Sequence, residues 1–229
     1  MTAGEEPVWD YTCEEVEAGP ALAIAFLLPV GLERMRWKGR MYQAVLEQAF
    51  LRRREPDRIA LGLYAETPTV SPNPIYGPGP LTSESSEIQG TLSDLPGPAH
   101  VPQGPAEPLR DLVENLNRFD GQRHAVWFLD ELPAEFIERF PMPDLGGVRL
   151  HAVCTSRTSE AVCRFAAALA RGSGGSYIHV EDLEEAGIAC EDLTASMHFH
   201  YRLTCPDPRG AVRWSLAVGG GRYTGKTAR

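Results

Sequence analysis

Apolar runs recur through this chain: ALAIAFLLPV at 21–30, IALGLYA at 59–65, AVWFL at 125–129 and, interrupted by His151, LHAVC at 150–154. A strand with one wet face alternates apolar and polar side chains, so runs without alternation predict strands covered on both faces. Between the runs the pattern changes to helical spacing. From Gly39 onward Met41, Val45, Gln48, Ala49 and Arg52 share one side, with Tyr42, Leu46 and Phe50 widening the apolar face. Leu109, Leu112, Val113 and Leu116 form a second stripe behind a proline near the first turn. SEAVCRFAAALARGSGG reads as a helix closed by Gly172 and Gly174, and SYIHVED as the last strand of the series. Strands alternating with helices predict an α/β fold with a mostly parallel sheet and helices on both faces.

The rest of the chain divides around that series. Residues 1–19 are acidic and weakly patterned and read as an N-terminal extension in which Trp9 and Tyr11 pack on the body. The main domain is expected over 20–185. Within it, 71–108 holds nine of the chain's 19 prolines, a density that denies both helix and central strand. That insertion is expected either to contain short edge strands around SEIQGTL or to be a functional or mobile loop. Residues 186–229 read as a C-terminal helix and β-hairpin, with HFHYRLT and AVRWSLAV joined by the turn PDPRG.

A net charge of −9 and a pI near 5.2 argue against nucleic acid as a partner, because phosphate contacts need clustered Lys and Arg. LRRREPDR at 51–58 is the one basic cluster and reads as cations at a helix C-terminus. The five cysteines are odd in number, widely spaced and without a CxxC pair, which fits reduced thiols in a cytoplasm. The run at 21–30 is too short to cross a bilayer and follows an acidic stretch, so neither an anchor nor a signal peptide is expected.

Two motifs suggest chemistry. GGRYTGKT at 220–227 satisfies the phosphate-loop pattern, and AVWFLDE at 125–131 resembles the acidic strand that holds magnesium in nucleotide hydrolases. A phosphate loop must launch a helix whose N-terminus faces the phosphates, and only Thr227, Ala228 and Arg229 follow Lys226. The expectation is therefore a strand continuation with a basic tail, and a hydrolase using Lys226 and Asp130 is the alternative. Asp130 and Glu131 are also placed to cap the helix PAEFIERF. His198 and His200 would share a strand face if extended, a pair too small for a metal site. Cys154 and His151, three apart on one strand, face opposite sides, and Cys154 is expected as a small buried hydrophobe.

The ordered set resembles a von Willebrand factor A (VWA) domain from about Ala21 to Leu183. ALAIAFLLPVGLERM stands for the first strand and its loop, MYQAVLEQAFL for the first helix, and RIALGLYAETPTV for the next strand pair. LRDLVENL and RHAVWFLDE stand for the middle helix and fourth strand, and GVRLHAVCTSRTSEAVCRFAAALARGSGGSYIHVED for the elements that close the fold. HYRLTCPDPRGAVRWSLAV is similar to the strand extension of a bacterial subgroup. The resemblance implies a three-layer Rossmann-like fold and a metal-ion-dependent adhesion site, built from Asp-x-Ser-x-Ser after the first strand, a Thr before the middle helix and an Asp after the fourth strand. Here Pro29, Gly31 and Glu33 stand at the first motif and Gly104 and Pro105 at the Thr, so only Asp130 or Glu131 remains, with Glu33 the other acid to consider. Hard oxygen ligands are what Mg²⁺ needs. No metal or cofactor is expected, and the implied function is a non-catalytic scaffold or adaptor. Its partner-binding residues would be Pro29, Gly31, Glu33, Arg34, Asp130, Glu131, Thr155, Ser156 and Arg157, at the C-terminal edge of the sheet. The resemblance further implies a protein partner such as an AAA-type ATPase.

Overall fold

The computed structural model describes residues 2–3, 6–7, 12–15, 21–31, 42, 46, 50–51, 53–138, 140, 144–198, 201–204, 212–218 and 221–226. In chain order the strands are β1 (Thr2–Ala3), β2 (Glu6–Pro7), β3 (Thr12–Glu15), β4 (Leu22–Val30), β5 (Arg58–Ala65), β6 (Gln122–Leu129), β7 (Arg149–Thr155), β8 (Tyr177–Val180), β9 (Tyr201–Thr204), β10 (Val212–Val218) and β11 (Gly221–Lys226). They fall into two compact units, Pro20–His198 and the pair of terminal segments Met1–Gly19 and Phe199–Arg229.

In the larger unit five parallel strands run in the order β5-β4-β6-β7-β8. The apolar runs take this position because each face of the sheet is covered. On β4, Leu22, Ile24, Phe26, Leu28 and Val30 enter one core, while Ala23, Ala25 and Leu27 enter the other. The split by size matters for packing. Ala23 and Ala25 on β4 and Ala60 and Gly62 on β5 leave room for the helix Ala106–Asn117 to lie close, and a Cβ at Gly62 would come within 2.8 Å of Leu112 Cδ1. That helix buries Leu109, Leu112, Val113 and Leu116, the stripe its sequence predicts. Burying one such leucine contributes roughly 1.5–3 kcal/mol.

The helix Glu160–Gly172 shares this face through Val162, Cys163, Ala166, Leu169 and Ala170. Ser159 caps its start, and its last turn ends as predicted, with Gly174 at φ +76° and the Gly175 N–H donating to the Ala170 carbonyl. The opposite face carries Tyr42 and Leu46, both helical and spaced to lie on one side, together with the helices Ser85–Ser93 and Leu183–His198. The result is the three-layer arrangement expected.

Four expectations are corrected. RIALGLYAETPTV forms one strand, not two; among the described residues, two isolated bridges, antiparallel Ile59 to Thr82 and parallel Ala65 to Gln103, extend the sheet beyond β5. SEIQGTL is helical rather than an edge strand, anchored by Ile88 and Leu92 one turn apart, and Pro98–His100 adds a short 3₁₀ turn. The helix Leu183–His198, placed above partly in the C-terminal extension, buries Ala186, Cys190, Leu193 and Met197 in the core of the larger unit. His198 is helical, so it does not share a strand with His200, which lies outside the described residues.

In the terminal unit β1 and β2, within the supposedly weakly patterned N-terminus, join β10 and β11 in the order β11-β10-β1-β2. β9 pairs with β3 and not with β10, so HYRLT and AVRWSLAV are not a hairpin with each other; the turn PDPRG and residues Trp9 and Tyr11 lie outside the described residues. β11 pairs with β10 from Arg213 opposite Lys226 to Val218 opposite Gly221.

Candidate functional site

Parallel strands deliver their C-terminal ends to one edge of the sheet, and the loops that leave there carry a connected polar group. Glu66 follows β5, Asp130 and Glu131 follow β6, and Thr155 to Thr158 turn from β7 into the helix Glu160–Gly172. The Asp130 side chain is fully buried. Arg157 grips it as a fork, Nε donating to Oδ1 at 3.0 Å and Nη2 to Oδ2, while Nη1 donates to Glu131 Oε1 at 2.6 Å. The Thr155 hydroxyl lies 2.8 Å from Asp130 Oδ1, and the Thr158 hydroxyl donates to the Asp130 carbonyl at 3.0 Å. Glu66, also buried, accepts the backbone N–H of Asp130 and of Glu131 at 3.2 and 2.9 Å. Ser156 donates to the Glu181 carbonyl at 2.6 Å and so ties the turn to the end of β8.

A buried carboxylate is tolerated only when paired and hydrogen-bonded. Here a guanidinium fork and a hydroxyl supply that. For Arg157 itself, burial works to lower the pKa, but the hydrogen bonds and charge of Asp130, then Glu131 and Glu66, more than offset it and the pKa is raised. Tyr42 packs edge-on against Phe128 with its hydroxyl buried and, among the described residues, without a hydrogen-bond partner. Burial, then the negative charge of Glu66, pushes that phenol well above its ordinary range.

The structure sorts the residues picked from sequence. Asp130, Glu131, Thr155 and Arg157 form one network, with Ser156 beside it. Glu131 and Ser156 are exposed, Arg157 and Gly31 half-buried, and Asp130 and Thr155 buried. Pro29 is corrected: it is buried within β4 opposite Tyr64, so it offers no contact surface. Val30 accepts from Glu66 on the β5 side, so Pro29 faces the β6 side, where pairing stops at Leu27, and its missing N–H costs no ladder bond. Glu33 and Arg34 lie outside the described residues. Gly104, at φ +79°, donates to the Ala65 carbonyl, and Pro105 begins the helix Ala106–Asn117. Glu66 and Thr158 were missed; the signal for Glu66 was an acid directly after a buried strand.

Where a cap on PAEFIERF was the expectation for Asp130 and Glu131, Arg157 engages both carboxylates. Among the described residues no group of three or more His, Cys, Asp and Glu is placed to hold a metal ion. The GGRYTGK portion of the phosphate-loop pattern includes the regular antiparallel strand β11, whose extended backbone does not wrap a phosphate. His151 and Cys154 do face opposite sides. His151 Nε2 lies 2.9 Å from His124 Nδ1, whereas Cys154 joins the other core. Among the described residues no helix is long and apolar enough to cross a membrane.

No protein-family model and no curated protein matches the chain by sequence. Solved structures do match in fold. A von Willebrand factor type A protein from Catenulispora acidiphila aligns with a TM-score of 0.56 at 10% identity, over 84% of this chain and 50% of its own. Proximal thread matrix protein 1 from the mussel byssus, with a zinc-occupied MIDAS motif, aligns with a TM-score of 0.56 at 12% identity, over 85% of this chain and 50% of its own. The pilus adhesin SpaC from Lactobacillus rhamnosus GG gives 0.56 at 10% identity, over 82% of this chain and 31% of its own. The chain thus spans half or less of the length of these three proteins. Its fold is that of a von Willebrand factor A domain.

Proposed function

We propose that this chain is a non-catalytic protein-interaction module, a scaffold or adaptor, whose C-terminal sheet edge engages a protein partner without a divalent ion. The fork of Arg157 on Asp130 carries this reading. An ion at Asp130 would have to displace a guanidinium already bonded to both carboxylate oxygens, and Mg²⁺ sheds water reluctantly for a single carboxylate. The departures at Pro29, Gly31, Gly104 and Pro105 support the same loss of metal ligands. The residues offered to a partner are Glu131, Ser156 and Arg157, with Gly31, Glu33 and Arg34 from the loop after β4. The resemblance suggests a component of a multi-protein system such as an AAA-type ATPase as the partner, in a cytoplasm that keeps the thiols reduced.

The reading is tested by immobilising the full chain and its Glu131→Lys/Ser156→Arg variant and capturing binders from the native host in EDTA. It predicts proteins held by the wild type in EDTA and lost with the variant. Retention that needs a divalent ion, or that ignores the edge substitutions, overturns it.

A further inference from the structure

Between Arg58 and Arg110 the sequence holds no Lys or Arg but five acids, Glu66, Glu84, Glu87, Asp94 and Glu107. Part of the proline-dense insertion in this stretch runs along the outer edge of β5, where Gly79 N–H donates to the Leu61 carbonyl and Ile59 and Thr82 exchange both backbone bonds. The preceding segment is tied to residues 98–103. Asn73 N–H donates to the Ala99 carbonyl, Ile75 and Tyr76 both donate to that of His100, and Thr69 N–H donates to Gln103 Oε1. Pro72, Pro74, Pro78 and Pro80 fix the backbone further. These anchors hold apolar side chains outward. Val70 is 95% exposed, Ile75 67% and Tyr76 39%, three of the five large exposed hydrophobics among the described residues. Tyr76 lines a cavity of about 130 Å³ with Leu61, Leu63, Glu87, Ile88 and Thr91. An apolar cavity of about 150 Å³ takes up benzene, so this one has room for a single aliphatic side chain. Glu87 stands at the cavity, and Glu84 and Asp94 flank the same helix, Ser85–Ser93; all three are exposed and, among the described residues, in no ion pair.

We propose that this β5 edge is a second docking surface, separate from the loops at the C-terminal sheet edge, for a basic protein segment that presents one aliphatic side chain between lysines or arginines. The aliphatic group enters the cavity, Ile75 and Tyr76 pack against it, and the flanking cations meet Glu87 and Glu84. Charge selects the occupant: a stretch with five acids and no Lys or Arg attracts a basic segment and repels nucleic acid and anionic lipid. A second copy of this chain carries a net charge of −9 and is repelled at long range, so the occupant is another protein. The prolines and backbone bonds hold the surface in its binding conformation, so little ordering is lost when the partner arrives.

The surface is tested by titrating the isotope-labelled full chain with three synthetic peptides, GKKLKKG, GEELEEG and GKKSKKG, and following backbone amide chemical shifts. GKKLKKG is expected to give saturable shifts at residues 75–91, and the other two to bind at least about tenfold more weakly. Ile75→Ser/Tyr76→Ser, which leaves the charge unchanged, and Glu84→Lys/Glu87→Lys, which leaves the apolar wall, each weaken GKKLKKG about tenfold or more. All four residues are exposed, so both variants keep the wild-type unfolding temperature. Glu131→Lys/Ser156→Arg leaves the peptide response unchanged, which separates this surface from the C-terminal sheet edge. Shifts that do not saturate, that lie elsewhere, that GKKSKKG reproduces, or that survive either double variant at the β5 edge overturn the proposal. So does a response lost with Glu131→Lys/Ser156→Arg, or sedimentation that shows a dimer closing this face to the peptide.

Discussion

Arg157→Ala removes the cation from a carboxylate that is fully buried. Asp130 keeps the Thr155 hydroxyl but loses both guanidinium donors, and Glu131 loses one. Removing one partner of a buried ion pair typically costs about 3–5 kcal/mol. The Arg157 side chain is 29% exposed, so water reaches part of the place it leaves, and a loss of about 2–4 kcal/mol is expected. For a unit of this size that corresponds to a fall of roughly 5–15 °C in Tm. An unpaired buried carboxylate takes up a proton more readily, so the penalty shrinks as pH is lowered to about 4.5. Asp130→Asn/Arg157→Met removes both charges and recovers most of the loss. Urea denaturation followed by tryptophan fluorescence at both pH values measures each effect. A cost below about 1 kcal/mol for Arg157→Ala, the size of a surface pair, refutes the buried lock; so does a double variant no more stable than the single.

Two further outcomes follow from the core. His151 accepts the Ser176 N–H at Nδ1, so its proton sits on Nε2 toward His124, and burial, then the Arg149 charge, holds its pKa down from 6.5 to about 4. A base whose folded pKa is depressed is protonated first in the unfolded chain. Stability is therefore full above about pH 6.5 and falls toward pH 4 by up to about 1.4 kcal/mol per pH unit, and His151→Gln flattens that slope in denaturation midpoints. An equal slope in the variant assigns the effect elsewhere. A Cβ at Gly175 would lie 2.0 Å from the Leu150 carbonyl oxygen, whereas one at Gly172 meets nothing. Gly175→Ala is expected to destabilise by about 1–3 kcal/mol and Gly172→Ala to be neutral or slightly stabilising, as thermal unfolding will read; similar values for the two contradict the packing.

The sheet was legible because burial on both faces leaves a mark that needs no partner to be seen: Leu22–Val30, Ala125–Leu129 and Ala152–Cys154 are apolar at every step. The stripe Leu109, Leu112, Val113 and Leu116 was legible for the same reason. The helix Ser85–Ser93 was not, since it holds Gly90 and Thr91 and anchors on only Ile88 and Leu92, too few residues to display a period. The pairing of β9 with β3 escaped because HYRLT and AVRWSLAV flank a strong turn signal, and local turn chemistry favours the nearer partner. In the site, each residue was visible and their union was not. Asp130 and Arg157 leave different strands 27 residues apart, and their contact depends on β6 and β7 lying side by side. An acid ending one buried strand and an arginine two residues beyond the next is the pattern that could have suggested it.

Under the proposed function, a guanidinium occupies the place beside Asp130 that a divalent ion would otherwise take. Titrating the full chain with Mn²⁺ and Mg²⁺, and reading unfolding at each concentration, tests it most directly. A ligand at 100 times its Kd stabilises the folded state by about 2.7 kcal/mol. No saturable stabilisation by either ion is expected in the wild type, and none lost on Asp130→Asn. Saturable stabilisation by Mg²⁺ that disappears with Asp130→Asn would contradict it.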